Sequence, residues 1–317
     1  MQRLFLLMCL IAPLSAFASD FDSAVNAVRD NCSLVANDLD SLKRMAGINT
    51  AISSVGAVAS GVGLGAGIAK AQQDAKLSAI DNELAQGLTD AGFTIISDTS
   101  TAVDKIAEFL RSTELPNVKT AASALQDKRD KIIAKSTTLG NVRTGLLAGA
   151  TVANVAGATI ATNNKSDGLL WQDLSKCIAS VKDLSNLYMQ ARISSDTTID
   201  LSSVQDIISA CSAVDRIDLA KIDGRASGAT GASVVGASFG AVGTITSALA
   251  NTQRIRNDIT ASGQTTEKKL NTTANIMAGG ATVAGTTATI FNASQIRAIN
   301  SASDIVEHCM GVLNEYK

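Results

Sequence analysis

Residue types that could do chemistry are sparse in this chain, and their spacing does not assemble a catalytic site. His308 is the only histidine, and Cys309 follows it near the C-terminus. A metal site would need further ligands. A serine-histidine-carboxylate site would depend on this one imidazole. We therefore predict a solvent-facing histidine and a protein that is not an enzyme, with no catalytic and no metal-binding residues.

One glycine-rich segment partly matches the fingerprint of dinucleotide-binding proteins. Gly61, Gly63 and Gly65 with Ala66 include the G-x-G-x-x-A spacing, and Asp81 follows at about the distance of the ribose-binding acid. The fingerprint requires a preceding strand within a βαβ unit, and no strand pattern surrounds this segment. We interpret these glycines as packing residues and expect no cofactor.

Neighbouring carboxylates and the single tryptophan complete the candidates. Asp38 with Asp40, and Asp215 with Asp218, are interpreted as solvated helix faces. A glycosidase pair stays open, but aromatic residues make up only 3% of the chain and leave few rings to stack on a sugar. Trp171 is interpreted as an anchor at the edge of the core rather than a ligand platform.

The N-terminus has the three parts of a secretory signal. Arg3 supplies the positive charge, Leu4–Leu14 the apolar region, and Ala16-Phe17-Ala18 the small-residue cleavage site. An N-terminal anchor is the alternative, and it fits less well because the apolar region is short. The expected mature chain begins at Ser19 and is secreted or periplasmic.

Composition limits the partners. The net charge is −2, which argues against nucleic acid because nucleic-acid-binding surfaces are basic. Hydrophobic residues make up 46% of the chain, which is ordinary for a protein with a packed core. Since few of them are aromatic, the core must be built from Ala, Val, Ile, Leu and Gly, which suits thin and closely packed helices.

Four stretches without Asp, Glu, Lys, Arg or His are the main structural signal: 45–69, 144–164, 226–253 and 270–296. Each is long enough to cross a bilayer, and each places a small residue at every fourth position. Residues i and i+4 share one face of a helix, and small residues there let two backbones approach closely. Several glycines in one helix cost about 1 kcal/mol each relative to Ala, so contact with a partner helix must compensate. The glycines predicted to make these helix contacts are Gly61, Gly65, Gly145, Gly149, Gly157, Gly228, Gly236, Gly240 and Gly285.

The chain reads as a tandem duplication of one helical unit. Segments resembling each other lead from Leu139 to Cys177 and from Leu270 to Cys309, and each unit also has a cysteine at its front. We predict a signal peptide at 1–18, repeat unit 1 at 19–193 and repeat unit 2 at 194–317. Turn residues at 194–198 form the predicted linker, and turns are expected near Pro116 and at 262–264.

After the signal the cysteines are even in number, as expected in an oxidising compartment. Four cysteines allow three pairings. The matched positions in the two units favour one of them, and the alternative is four free thiols. The favoured pairing joins Cys32 to Cys177 and Cys211 to Cys309.

These observations predict an all-α fold of elongated antiparallel helical hairpins or a bundle, with tight Gly/Ala-rich packing and two tandem pseudo-repeats. The leading function is an exported, non-enzymatic structural or interaction protein of the cell envelope or exterior. The alternative is a membrane-inserting protein, similar in layout only to pore-forming toxins, whose apolar hairpins enter a bilayer. The sequence leaves three kinds of partner open: a second copy of the chain, a membrane or another protein. It predicts no nucleic-acid partner.

Overall fold

The computed structural model describes residues 2–90, 116–166, 168–194, 201–252 and 261–316, and helix accounts for nearly all of them. No strand occurs in these ranges, and the predicted all-α fold is confirmed. The α-helices are α1 (Gln2–Asp90), α2 (Pro116–Asn163), α3 (Gly168–Ser194), α4 (Leu201–Cys211), α5 (Leu219–Ala250) and α6 (Ala261–Glu315), and a 3₁₀ turn spans Ser212–Arg216.

Helix boundaries follow local chemistry in two places. Pro116 is the first residue of α2, where its missing N–H costs no intrahelical bond. Asp218 precedes α5, and its Oδ1 accepts a hydrogen bond from the backbone N–H of Lys221 at 3.0 Å, which is an N-cap contact. Both signals are readable from the sequence.

The turn predicted at 262–264 is wrong. These residues lie in the first turn of α6, and the Thr266 hydroxyl donates to the Ser262 carbonyl oxygen at 2.9 Å. Ser and Gly also occur at the starts of helices, so their presence at 262–264 does not by itself distinguish a turn from a helix start. Ser194 is the last residue of α3, and the rest of the predicted linker, 195–198, lies outside the described residues.

Along each long helix, buried residues recur at alternating intervals of three and four residues. In α1 this seam continues from Phe21 to Leu77, and the same pattern runs along the other long helices. A repeat of 3.5 residues keeps one seam facing its neighbours while the helices supercoil. Buried positions in the central part of α1 are Asn49, Ser53, Gly56, Ser60, Gly63, Gly67 and Lys70.

Contacts between residues divide the chain into two compact modules. The disulfide module comprises Met1–Thr50, Ile160–Ala229 and Ile290–Lys317, and the small-residue module comprises Ala51–Thr159 and Thr230–Thr289. Each module therefore draws on both predicted repeat units. The tandem duplication itself stays a prediction.

Large apolar side chains fill the core of the disulfide module. Phe21, Leu39, Leu184, Ile299 and Leu313 are all at most 1% exposed. Both pairs of cysteines belong to this core and lie at disulfide distance, with Cys32 joined to Cys177 and Cys211 joined to Cys309. This is the pairing that the sequence favours. Each bond connects parts of the chain that are far apart in sequence.

Inside the small-residue module, α1 runs antiparallel to α2. A Cβ built on Gly56 would meet the side chain of Asn154, and one built on Gly63 would meet Leu147, so residue numbers rise in one helix as they fall in the other. Contacts of the same kind pair Gly240 with Thr151. The four long helices of the chain thus pack against one another through small residues.

Candidate functional site

The residues with catalytic potential do not come together. His308 is exposed, and Cys309 is fully buried in its disulfide. The fingerprint glycines lie within α1, with helix rather than strand before them. Among the described residues there is no group of three or more His, Cys, Asp or Glu side chains that could hold a metal ion. Trp171 is 47% exposed on α3.

A four-residue stripe has the wrong period for the glycine contacts. A row of residues at i, i+4, i+8 turns by about 40° around a straight helix at each step, because 3.6 residues make one turn. In α1 the stripe is therefore buried at Ser53, half-buried at Gly61 and exposed at Gly65. In α2 the first residues of the stripe are exposed and the last ones are buried. A stripe of this kind can face a neighbouring helix over only part of its length.

The nine predicted packing glycines consequently divide into three groups. Gly65, Gly145 and Gly149 are exposed, and a Cβ on any of them would meet nothing within 4 Å in the described part of the chain, so their role as helix contacts stays a prediction. Gly61 and Gly228 are half-buried; a Cβ on Gly228 would come within 2.8 Å of Phe291. The buried glycines are Gly157, Gly236, Gly240 and Gly285.

A matched pair of substitutions in α6 tests which glycines are contacts. A Cβ on Gly285 would lie 3.1 Å from backbone atoms of Ala57, whereas one on Gly279 would meet nothing within 4 Å among the described residues. We expect Gly285→Leu to lower the free energy of unfolding by about 1–3 kcal/mol, because the α1 backbone must move. Gly279→Leu should be neutral or stabilising by up to about 1 kcal/mol through helix propensity. Thermal unfolding by circular dichroism measures both, and equal melting temperatures would contradict the assigned contact.

Buried glycines make room for single larger polar side chains in the small-residue module. Asn154 is 0% exposed, and its amide lies within 3.2 Å of the Cβ positions of both Gly56 and Gly236. Neither amide atom of Asn154 has a hydrogen-bond partner among the described residues. A buried polar residue in a helical seam costs stability but can fix the register of the helices.

A cluster of buried charges lies at one end of this polar core. Lys70 is 0% exposed, and its Nζ contacts Asp74 Oδ2 at 2.6 Å and Glu267 Oε1 at 2.9 Å. Asp74 also accepts hydrogen bonds from Ser136 Oγ at 2.5 Å and Asn271 Nδ2 at 2.9 Å. These contacts join α1, α2 and α6. The two carboxylates therefore bring three helices into one register.

Arg143 extends the charged cluster to α5. Its side chain is completely buried and donates to Ser247 Oγ at 2.8 Å, Asn271 Oδ1 at 2.9 Å and Asn275 Oδ1 at 3.2 Å. Gly67 makes room for this group, because a Cβ there would overlap Asn275 and approach the arginine Cδ at 3.0 Å. The cluster pairs two cations with two carboxylates, so its formal charge is balanced.

Part of the outward face of the same module carries no charge, although the module also exposes Lys76, Lys128 and Lys131. The residues at 51–69, 144–159, 230–252 and 270–289, which we call the charge-free section, include no Asp, Glu, Lys, Arg or His. Large aliphatic side chains on this face are between 43% and 69% exposed. They are Val55, Val58, Val62, Ile68, Val152, Val155, Val234, Val235, Val242, Ile245, Leu249, Ile276 and Val283.

Several threonine hydroxyls in the charge-free section are satisfied within their own helices. Thr144, Thr159, Thr246, Thr286 and Thr287 each donate to the carbonyl oxygen four residues earlier, at 2.8–3.0 Å. Such bonds satisfy the hydroxyl donor without solvent. The threonines therefore add little demand for water to the face that carries the exposed valines.

Five interior residues that define this site were not among those predicted from the sequence: Lys70, Asp74, Arg143, Asn154 and Glu267. A heptad count would have found three of them, because Lys70, Arg143 and Asn154 occupy seam positions of their helices. In the sequence, Lys70 and Arg143 look like the charged ends of uncharged spans. Only the three-and-four spacing shows that they point inward.

Comparisons of the chain with protein-family models, curated proteins and solved structures find no match. The functional interpretation therefore depends on the geometry of the two modules.

Proposed function

We propose that this chain is an exported, non-enzymatic envelope protein whose charge-free section lies in the hydrocarbon interior of a lipid bilayer. The proposal keeps the structural or interaction role that the sequence favours. It joins that role to membrane insertion, which the sequence supports as the alternative. The signal sequence supports export, and the mature form beginning at Ser19 is the form to test.

One observation carries the proposal: the charge-free section exposes aliphatic side chains while the nearby Lys70 and Arg143 are buried, although the same module exposes charges such as Lys128 and Lys131 farther along. In the disulfide module, Phe21 and Leu184 are buried, and charged side chains such as Arg44 and Lys176 face outward. In the small-residue module, Lys70 and Arg143 are buried while Val152 is 69% exposed. Polar groups inside and aliphatic groups outside are the arrangement that lipid favours.

The lengths of the helices agree with this proposal. At 1.5 Å per residue, the uncharged stretch of α1 extends about 37 Å and that of α2 about 31 Å, against a hydrocarbon thickness of about 30 Å. Three helical segments are long and apolar enough to cross a membrane: Asp20–Ile80, Gln126–Arg192 and Leu201–Ala250. The uncharged stretch of α6 is not among them.

A second candidate follows from the same exposed face. In water, a second copy of the chain could cover the valines of the charge-free section, which would make the protein a soluble homo-oligomer. Exposed apolar patches mark protein interfaces as well as membrane contacts. A measurement of lipid contact at the exposed face separates the two candidates.

A tryptophan reporter measures that contact directly. Trp171 is the only tryptophan, so Trp171→Phe gives a silent background. Val152→Trp then places a reporter at a position 69% exposed in the charge-free section, and Leu169→Trp places one at a position 63% exposed in the disulfide module. With vesicles carrying brominated acyl chains, we expect quenching of the reporter at position 152 and none of the reporter at position 169. Quenching of neither, with a stable oligomer by light scattering, would favour the soluble candidate and overturn insertion.

An added charge at the exposed face should block insertion while leaving the helical core intact. Val155 is 53% exposed, so Val155→Asp places a carboxylate outside the bundle. A central Asp costs about 2.5–3.5 kcal/mol on insertion scales, and we expect partition into vesicles to fall by about two orders of magnitude. The circular dichroism spectrum in buffer should not change. Unaltered partition of Val155→Asp would contradict the proposed lipid contact.

A further inference from the structure

Each of the four long helices has a cation where its uncharged stretch ends within the disulfide module. Arg44 precedes the stretch of α1, Lys165 follows that of α2, Arg225 precedes that of α5, and Arg297 follows that of α6. Arg44, Lys165 and Arg297 are exposed, and Arg225 is half-buried. The sequence alone does not show whether these cations lie together.

Hydrogen bonds place three of these helix ends at one level. The Asn164 carbonyl accepts from Gln295 Nε2 at 2.9 Å. The Asn164 amide, in the orientation that satisfies both of its atoms, donates to the Leu42 carbonyl and accepts from the Ala46 N–H, both at 3.1 Å. Lys165 therefore lies at the level of residues 42–46 in α1 and of residue 295 in α6.

The fourth helix reaches the same level through two contacts. Asp223 accepts hydrogen bonds from the backbone N–H of Ser166 at 2.6 Å and from its hydroxyl. The guanidinium of Arg225 donates to the carbonyl of Ser294. The cations of α1, α2, α5 and α6 thus form one ring within the disulfide module. We call this ring, with the exposed Lys43 and Lys221 one turn or less away, the cationic collar.

Among the described residues at this level, positive charge exceeds negative charge, although the whole chain has a net charge of −2. The carboxylates described here are Asp40, which pairs with Arg44 at 3.4 Å, Asp223, which is held by Ser166, and Asp218, whose Oδ1 accepts a hydrogen bond from the Lys221 backbone N–H at 3.0 Å. Asp40 and Arg44 are 68% and 76% exposed, so their pair is weak and leaves the guanidinium accessible. The collar is therefore a local cationic surface on a mildly acidic protein.

The other ends of the uncharged stretches are different. Lys70 and Arg143 are buried there, and Asp74 and Glu267 balance their charge. Lys269 is exposed, and Arg254 lies outside the described residues. In the sequence, cations therefore flank the uncharged stretches at both of their ends. In the structure, two of the cations at the ends outside the disulfide module, Lys70 and Arg143, are buried.

We propose that the cationic collar binds the anionic headgroups of phospholipids in the leaflet that the disulfide module faces. This inference rests on the proposed insertion of the charge-free section, because insertion brings the collar to headgroup depth. Lysine and arginine near a membrane surface are attracted to anionic lipid, and each contributes to binding over roughly a Debye length. Long cationic side chains at helix ends can also reach the phosphates while their methylene groups stay in apolar surroundings.

The test compares vesicles of phosphatidylcholine with vesicles that also contain phosphatidylglycerol. The collar variant is Lys165→Glu with Arg297→Glu, and the matched control is Lys182→Glu with Arg216→Glu. Both double variants reverse two exposed cations of the disulfide module. Binding is measured by co-sedimentation, and insertion by quenching of the position-152 reporter in the Val152→Trp/Trp171→Phe background.

We expect the control to keep the wild-type preference for phosphatidylglycerol and the collar variant to lose it, with binding reduced by about tenfold or more. Added salt should weaken wild-type binding more than binding of the collar variant. If the wild type inserts equally into both kinds of vesicle, the proposed binding of anionic headgroups by the collar is wrong, and the proposed function is unaffected. A collar-dependent preference without quenching at position 152 would instead support the collar and overturn insertion. An equal loss in the control variant would also overturn the collar.

Discussion

Removing either disulfide is expected to lower the free energy of unfolding of the disulfide module by about 4–5 kcal/mol, because each bond closes a long loop of the unfolded chain. The bonded cysteines are separated by 145 residues for Cys32 and Cys177 and by 98 residues for Cys211 and Cys309. Alanine is the suitable replacement because all four sites are buried and a hydroxyl there would need a new partner.

Urea unfolding followed by Trp171 fluorescence measures this loss, because Trp171 lies in α3 together with Cys177. The wild type under reducing conditions should match the variant that lacks both bonds, and that variant should not respond to reductant. A loss below about 1 kcal/mol for each pair would contradict the expectation. Non-reducing peptide mapping must also return the two predicted linkages, and a peptide joining Cys32 to Cys211 would disprove them.

Lys70→Met is expected to lower the free energy of unfolding of the small-residue module by about 3–5 kcal/mol. Lys70 is the cation that both Asp74 and Glu267 contact, and its side chain is 0% exposed. Removal of one partner from a buried charged pair leaves the other charges poorly compensated, which costs more than the pair itself contributes. Loss of hydrogen-exchange protection around residues 70 and 267 would report the local effect.

Lys176→Met is the matched control. Lys176 pairs with Asp173 at 2.9 Å, but its side chain is 47% exposed, and exposed pairs contribute about 0–1 kcal/mol. A second variant, Lys70→Met with Asp74→Met and Glu267→Met, replaces the whole charged layer with apolar side chains. It should recover part of the stability lost in Lys70→Met. If the single variant is as stable as the Lys176 control, the buried cluster does not hold the helices together.

Local sequence signals predicted the helices and the cysteine pairing well. Uncharged segments with recurring small residues and no period-two alternation favour helix, and the described residues are helical. Matched cysteine positions selected one pairing of three, and the structure has Cys32 beside Cys177 and Cys211 beside Cys309. Asp218, interpreted from the sequence as part of a solvated helix face, instead caps the start of α5.

The candidate site was less accessible from sequence because it depends on which face of each helix turns inward. Gly149 and Gly236 have similar small-residue surroundings in sequence, yet Gly149 is exposed and Gly236 contacts Asn154. A four-residue count rotates around the helix, whereas the packed seam has a period of 3.5 residues. The predicted stripes therefore found some contacts and missed others on the same helix.

By itself the sequence determined the secondary structure, the pairing of the cysteines and the lengths of the uncharged segments, because these follow from short-range preferences and residue counts. Tertiary structure decided which side chains are inside. Lys70 and Arg143 are buried because facing helices supply Asp74, Glu267 and Asn271 at hydrogen-bond distance. Arg44 and Lys165, also next to uncharged stretches, stay in solvent. The three-and-four spacing places Lys70 and Arg143 on the inward face, but the free energy of burying a charge depends on partners from distant parts of the chain, which no local pattern supplies.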